Sequence, residues 1–336
     1  MQQNQEKYIA TKWLVYDLCH SPSTEFPSSP LCPLPFKHPL TWGNFYITIS
    51  GLMDSMPNIE AIGTNLLKTI QSPSNANNNL SSIIKLYIEF SLWGNKTDLS
   101  IMTYNNQTLD DVQQSTESSV DKMAGNILGN DTNKLLMWID SLQREQIDIV
   151  LDNAGFELFG DLCLGEILCW SGAAGSVTFH QKCIPWFVSD VRERDMVFLL
   201  DTLCENEALK DLGKLWKKRF EDGTFKRTDH KFWSTGYGFS EMNRVFPELY
   251  QALRNSSLVV FKGDLNYRKL VNDRVWEYDT RFLSALEGFK PAPVCALRTC
   301  KSDSLAGCDK ERVENVVEQD KNALFTGKYA VISFTK

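Results

Sequence analysis

Residues 147–157 have the sequence IDIVLDNAGFE. A mostly apolar run, residues 147–151, ends abruptly in Asp152 and Asn153. The run has the length and the branched aliphatic content of a buried strand, and the residues after it can open a helix. In an open α/β sheet, ligands bind outside the carboxyl ends of such strands. A carboxylate and a carboxamide at this position therefore predict a ligand site at one edge of the sheet.

Three later segments repeat the arrangement with other polar ends: residues 179–182 (FHQK), 259–264 (VVFKGD) and 296–301 (ALRTCK). From residue 147 onward, strand-like runs alternate with helix-like periodicity, which is typical of a mostly parallel sheet covered on both faces. The sequence therefore predicts an α/β fold, namely a three-layer α/β/α Rossmann-like sheet preceded by a helical region. The four strand ends bring Asp, Asn, Lys and Arg to one edge.

The chain divides into three predicted parts. Half of its 12 prolines lie between Pro22 and Pro39, so residues 1–45 are predicted to be an irregular Pro/Ser-rich segment. Residues 46–137 are predicted to be a helical region, with helices near 56–70 and 80–93 and a polar connector over 107–131. Residues 138–336 are predicted to be the α/β/α catalytic core. Helices are predicted over 135–146 and near 241–255, and the apolar positions that recur every three or four residues between Phe156 and Trp170 predict a third.

Composition excludes several classes of protein. The formal net charge is −7 over 336 residues, which argues against a nucleic-acid binder. No apolar stretch approaches the roughly 20 residues of a membrane span, and residues 1–6 lack the order of a secretory signal. The nine cysteines form no CxxC pair, which indicates reduced thiols and no zinc site. We expect no membrane partner and a cytoplasmic, possibly also nuclear, location.

A divalent cation is the ligand that the first cluster of polar residues favours. Asp190 follows the second predicted strand within an apolar segment, so it can join Asp152 and Asn153 at the edge of the sheet. Two carboxylates and one amide oxygen suit a hard cation such as Mg²⁺ or Mn²⁺ that also engages a phosphate. The alternative is an Asx turn in which Asp152 and Asn153 only cap the following helix.

Residues 262–269, KGDLNYRK, form the second cluster. The glycine permits close approach of the backbone, and Asp264, Asn266 and Arg268 are polar groups suited to a substrate. A helix start beside a strand end favours anions, and Arg268 could contact phosphate oxygens through two hydrogen bonds. The alternative is an ordinary helix start with Asp264 as its cap and Arg268 at the surface.

Two further charged residues are candidates for substrate contacts. Lys301 ends the strand-like run 296–301 and could neutralise a transferring phosphoryl group, although an exposed strand end explains it as well. Glu157 could orient a substrate hydroxyl, although a glutamate in the first turn of a helix is also favourable with the helix dipole. The cluster 172–175, GAAG, precedes a strand rather than following one, so we interpret it as a turn and not a nucleotide-binding loop.

The sequence resembles the damage-control phosphatase family, in its sugar-phosphate branch, whose members are also named acidic-residue or protein-glutamate O-methyltransferases. The resemblance is carried by residues 92–100 (LWGNKTDLS), 151–164, 179–180, 184–191, 261–270 and 296–301. It implies an α/β/α core, a divalent metal (Mn²⁺, Co²⁺, Ni²⁺ or Mg²⁺), and hydrolysis of small sugar phosphates such as fructose 1-phosphate and fructose 6-phosphate.

The resemblance also assigns roles to matching positions. It implies that three residues hold the metal: Asp152, Asn153 and Asp190. It places the following residues around the substrate: Asp152, Asn153, Glu157, Asp190, Asp264, Leu265, Asn266, Tyr267, Arg268 and Lys301. Among these, the catalytic residues are expected to be Asp152, Asp264 and Lys301.

Two other functions stay open from the sequence. One is an S-adenosylmethionine-dependent carboxyl methyltransferase, which rests on the family's second name. The other is a non-catalytic protein, since the proline-rich amino end departs from the family pattern. The sequence does not define the oligomeric state, the preferred sugar phosphate or the physiological metal.

Overall fold

The structure of the protein is a computed structural model, which describes residues 51–72, 74–94, 123 and 125–336. The predicted irregular segment 1–45 lies outside the described residues. Helix α1 (Met56–Gln71) begins with Pro57 in its first turn and buries Ile59, Ile62 and Leu66, as the periodicity predicts. Helix α2 (Ser74–Trp93) follows it and packs against a helix of the core.

The described part of the chain forms a seven-stranded sheet in the order β1-β7-β6-β5-β2-β3-β4. Every neighbouring pair is parallel except β6 and β7, which are antiparallel. The predicted α/β class with a mostly parallel sheet is therefore confirmed. The strands are β1 Ile127–Asn130, β2 Glu145–Val150, β3 Ala174–Gln181, β4 Phe225–Asp229, β5 Leu258–Lys262, β6 Val294–Thr299 and β7 Ala330–Thr335.

Both faces of the sheet are covered. On β2, Ile147 and Ile149 pack into one apolar core and Val150 into the other, because successive side chains of a strand point to opposite faces. The remaining helices are α3 Thr132–Asp140, α4 Phe156–Trp170, α5 Glu193–Glu205, α6 Lys210–Glu221, α7 Met242–Val245, α8 Pro247–Leu253, α9 Gly263–Leu270, α10 Phe282–Ala285 and α11 Lys310–Gln319. None of the helices that the structure describes is long and apolar enough to cross a membrane.

The strand order places the site. From β2 the chain proceeds to β3 and β4 on one side, and then crosses to β5 on the other side of β2. The carboxyl ends of β2 and β5 therefore flank the point at which the winding of the sheet reverses, where open α/β sheets leave a crevice. The segments that follow these two ends contain Asp152 and Gly263.

Several elements differ from the sequence-based expectation. Strand β1 lies where a polar connector was predicted, and the predicted helix 135–146 ends at Asp140 because β2 begins at Glu145. Pro247 divides the predicted helix 241–255 into α7 and α8, since proline cannot supply the N–H that a continuous helix needs. Strand β4, FKRTD, was missed because it is an exposed edge strand whose charged side chains mask its pattern.

Candidate active site

Asp152 and Gly263 pack directly against each other at the reversal point. Gly263 opens α9 with a φ of +82°, a conformation that favours glycine, and a Cβ atom built on it would overlap the Asp152 carboxylate. Asp152 is 7% exposed. The glycine of residues 262–269 is thus required for two reasons: the backbone conformation and the space that the carboxylate occupies.

Asn153 joins Asp152 to Glu157. Its Nδ2 donates to Asp152 Oδ2 at 2.7 Å and to Glu157 Oε2 at 2.8 Å, and its Oδ1 accepts a hydrogen bond from Ser189 Oγ at 2.5 Å. The cap of α4 is Gly155, without a side-chain cap hydrogen bond. The alternative in which Asp152 and Asn153 serve only to cap this helix is therefore excluded.

Asp190 lies beside these residues because the chain returns to them after β3. Asn153 and Asp190 form an isolated antiparallel bridge. The Asp190 carboxylate is completely buried, and its Oδ1 accepts from Lys182 Nζ at 2.9 Å. Its Oδ2 accepts from the backbone N–H groups of Trp186 and Phe187 at 2.7 and 2.8 Å. The structure therefore brings the three predicted metal ligands together.

A buried lysine completes the cluster on the side of α4. Lys262, the last residue of β5, places its Nζ 2.8 Å from Asp161 Oδ1 and 3.1 Å from Glu157 Oε1. It also donates to the Ser91 carbonyl at 2.6 Å. No role was predicted from the sequence for Lys262 or Asp161. Asp161 had one sequence signal, because it is one of three acidic residues in a helix that is otherwise apolar.

The cluster carries an excess of negative charge. Within the described residues, four buried carboxylates (Asp152, Glu157, Asp161 and Asp190) face two buried ammonium groups (Lys182 and Lys262). Burial and then Glu157 raise the pKa of Asp152 to about 8, with Asp190 adding to this rise and both lysines opposing it. With all four carboxylates ionised, the site would carry two uncompensated negative charges, which match the charge of one divalent cation.

The donor set fits a hard cation. Asp152 and Asp190 offer carboxylate oxygens, and a half-turn of the Asn153 amide would exchange its nitrogen and oxygen positions. Oxygen donors of this kind are typical for Mg²⁺ and Mn²⁺. Within the described residues, no three Asp, Glu, His or Cys side chains surround one metal position, so the proposed set takes Asn153 as its third donor.

Residues 264–268 take several different roles. Asp264 Oδ1 accepts from Arg298 Nε at 2.8 Å and from the Lys301 N–H at 2.9 Å, so Asp264 does not cap α9. Arg268 forms a two-bonded pair with Asp273, at 2.6 and 2.9 Å. The Lys301 side chain is exposed.

The other three predicted substrate residues are buried within the protein. Asn266 Nδ2 donates to the carbonyls of Lys262 at 2.8 Å and Leu151 at 3.2 Å, and so joins the ends of β5 and β2. The Tyr267 hydroxyl bonds to Ala306, and Leu265 is 8% exposed. Asn266 and Tyr267 therefore hold α9 against the end of β2 and against the loop after β6.

Arg298 was predicted to lie at the same edge of the sheet, but no individual role was predicted for it. It is fully buried, lies 4.3 Å from the centre of the Tyr267 ring, and donates to the carbonyls of Ser302 and Ser304. Because it also holds Asp264, it fixes the loop after β6 against α9. A basic residue within a buried strand was the available sequence signal.

Fold and site together define an open α/β protein with a buried acidic cluster, only partly neutralised by two lysines, at the reversal point of its sheet. The family model of the damage-control phosphatase ARMT1-like domain matches residues 57–316. The chain therefore belongs to the damage-control phosphatase ARMT1-like family, as the sequence resemblance predicted.

Curated relatives agree with this assignment. The chain is 40% identical over 260 residues to damage-control phosphatase ARMT1 of Danio rerio, covering 74% of this chain and 57% of that protein. It is 36% identical over 295 residues to the Bos taurus protein of the same name, covering 84% of this chain and 65% of that protein. The chain thus spans less than two thirds of the length of these relatives.

A solved structure is also similar to this chain. The crystal structure of a DUF89 family protein from Pyrococcus horikoshii aligns with a TM-score of 0.41 and 16% identity, covering 80% of this chain and 75% of that one. A similarity at this level adds nothing to the assignment of the site.

Proposed function

We propose that this protein is a divalent-metal-dependent phosphatase that hydrolyses small sugar phosphates of the fructose 1-phosphate and fructose 6-phosphate type. The observation that carries the proposal is the buried charge imbalance at the reversal point, where Asp152, Asn153 and Asp190 converge. Family membership and the phosphatase names of the relatives support the reaction type.

The proposed cation is Mn²⁺, Co²⁺, Ni²⁺ or Mg²⁺, held by Asp152, Asn153 and Asp190. When bound, such a cation polarises a phosphoryl oxygen and generates a nucleophile from water near neutral pH. The protein supplies the rest of the site. Lys182 and the backbone N–H groups of Trp186 and Phe187 hold Asp190 in place, and Asn153 holds Asp152.

The phosphate is proposed to bind where α9 begins. The first N–H groups of a helix have no acceptor within it, and the helix dipole favours an anion there. Asp264 lies in this first turn, and the exposed Lys301 follows β6 beside it. Arg268 would contact the phosphate, with its own charge neutralised by Asp273, and Glu157 would contact the sugar. We assign these contacts as part of the proposal.

A phosphate-release assay tests this function. The purified chain is incubated with fructose 1-phosphate and fructose 6-phosphate in the presence of Mn²⁺, Co²⁺, Ni²⁺ or Mg²⁺, with a chelator as the control. We expect phosphate release with at least one metal and its loss with the chelator. A folded sample that releases no phosphate under any condition would contradict the proposal, and heat of S-adenosylmethionine binding to that sample would favour the methyltransferase.

A further inference from the structure

Lys262 connects three separate parts of the chain. Its side chain is fully buried, and Nζ lies 2.6 Å from the Ser91 carbonyl on α2, 2.8 Å from Asp161 Oδ1 and 3.1 Å from Glu157 Oε1 on α4. Three acceptors satisfy the three hydrogens of an ammonium group. Since β5 ends at Lys262, its backbone position is fixed by the sheet.

The end of α2 also packs closely against α4 beside Lys262. Ser91 Oγ donates to Asp161 Oδ1 at 2.6 Å. A Cβ atom on Gly94 would lie 2.9 Å from Glu157 Cα, which is too close for any side chain. The helical region therefore contacts Glu157 both through its backbone at Gly94 and through Lys262.

The two oxygens of Glu157 have different partners. Oε1 accepts from Lys262, and Oε2 accepts from Asn153 Nδ2, which also donates to Asp152. A continuous series of hydrogen bonds thus leads from Ser91 through Lys262, Glu157 and Asn153 to Asp152. Removing the lysine would take this partner away from Glu157 Oε1. The Glu157 carboxylate would then no longer fix the orientation of the Asn153 amide.

We propose that Lys262 is a positioning residue, which acts through Glu157 to set the orientation of Asn153 and Asp152 and couples that orientation to the end of α2. The proposal rests on the proposed function for its metal-affinity and activity readouts. Partners of metal ligands in the outer shell typically account for 10- to 100-fold in metal affinity or activity. The alternative is that Lys262 only neutralises the buried carboxylates of Glu157 and Asp161. The test below distinguishes the two roles.

The test compares two variants of the full chain. Lys262→Met removes the ammonium group and leaves Glu157 and Asp161 without their cation, so we expect the unfolding temperature to fall by several degrees. Lys262→Met combined with Asp161→Asn removes one charge of each sign and restores the balance of charge. We expect the double variant to recover most of the thermal stability, while its Mn²⁺ affinity and its kcat/KM for fructose 1-phosphate stay about 10- to 100-fold below the wild-type values.

Arg219→Met is the matched control. Arg219 forms a two-bonded pair with the buried Glu166, on the same helix as Glu157 and about 13 Å farther along it. This variant also leaves a buried carboxylate without its cation. We expect it to lose thermal stability while its Mn²⁺ affinity and kcat/KM stay within about twofold of wild type.

Calorimetry with Mn²⁺ and thermal unfolding are measured on every variant, so the outcome does not depend on turnover alone. Recovery of wild-type Mn²⁺ affinity in the double variant, together with its stability, would overturn the positioning role and leave only charge neutralisation. If the wild type binds Mn²⁺ but releases no phosphate, the proposed function fails while the comparison of affinities still decides the role of Lys262.

Discussion

Gly263→Ala is expected to lower kcat/KM by at least about 100-fold, because it forces the Asp152 carboxylate out of its position. The added Cβ would overlap Asp152, and the neighbouring atoms belong to a residue held by Asn153 and by the end of β2. A left-handed conformation costs an alanine roughly 1–2 kcal/mol in addition. Steady-state kinetics and metal-binding calorimetry on the folded variant measure the effect.

Gly223→Ala is the control for Gly263→Ala, because it introduces the backbone strain without the overlap of the added Cβ atom. Gly223 has a φ of +80°, almost identical to that of Gly263, but a Cβ atom built there would meet nothing within 4 Å. It lies between α6 and β4, away from the crevice. We expect a similar loss of stability from strain and unchanged kinetics. Equal loss of activity in both variants, or full activity in Gly263→Ala, would contradict the packing described for Asp152.

Asp152→Asn is expected to reduce kcat/KM by at least about 100-fold and at the same time to stabilise the metal-free protein. Burial, followed by Glu157, raises the pKa of Asp152 from its ordinary value of 3.8 to about 8. The metal-free folded chain therefore retains this proton between those pH values, whereas the unfolded chain releases it. Because the folded state binds more protons in this range, the stability of the wild type falls as pH rises from about 4 towards 8.

Asparagine carries no such charge, so the two proteins diverge with pH. In the presence of a chelator, the unfolding temperature of Asp152→Asn should exceed that of the wild type by a margin that widens from pH 5 to pH 8 and then levels off. Saturating Mn²⁺ should narrow this difference by stabilising only the wild type, by about 2.7 kcal/mol at 100 times the dissociation constant.

Asp201→Asn is the control for the effect of pH. Asp201 is an exposed carboxylate on α5 that pairs with Lys217 at the surface, with 53% of its side chain accessible. Its replacement should change stability by no more than about 0.5 kcal/mol. A metal-free Asp152→Asn protein that is less stable than the wild type at pH 8 would show that the crevice does not hold an excess of negative charge.

The sequence was sufficient for the central strands because buried strands are short apolar runs that end in polar residues. Strands β2, β5 and β6 were placed to within two residues in this way, and α4 was predicted from its recurrent apolar positions. The position of Asp152 next to Gly263 depends on the strand order, which lies in long-range pairing rather than in local pattern. Convergence at one edge could therefore be predicted, but not the contact between these two residues.

The pairing of charged side chains could not be predicted from the local sequence either. The pairing of Arg268, predicted to contact phosphate, with Asp273 was not foreseen; it arises because Asn272 and Asp273 adopt positive φ angles of 58° and 54° that turn the chain back onto α9. Asp273 consequently contacts the Arg268 guanidinium. Asn and Asp adopt the left-handed conformation more often than other non-glycine residues, so the local sequence is compatible with a turn here, but it does not show that the turn brings Asp273 to Arg268.

The most direct test of the account is the location of Mn²⁺ by anomalous X-ray scattering from crystals of the protein grown with that ion. The account predicts one strong peak at the carboxyl end of β2, bonded to Asp152 with Asn153 and Asp190 as its other protein ligands. A peak at another group of carboxylates, such as the buried Asp148 beside His180, or no peak at the reversal point of the sheet, would contradict it.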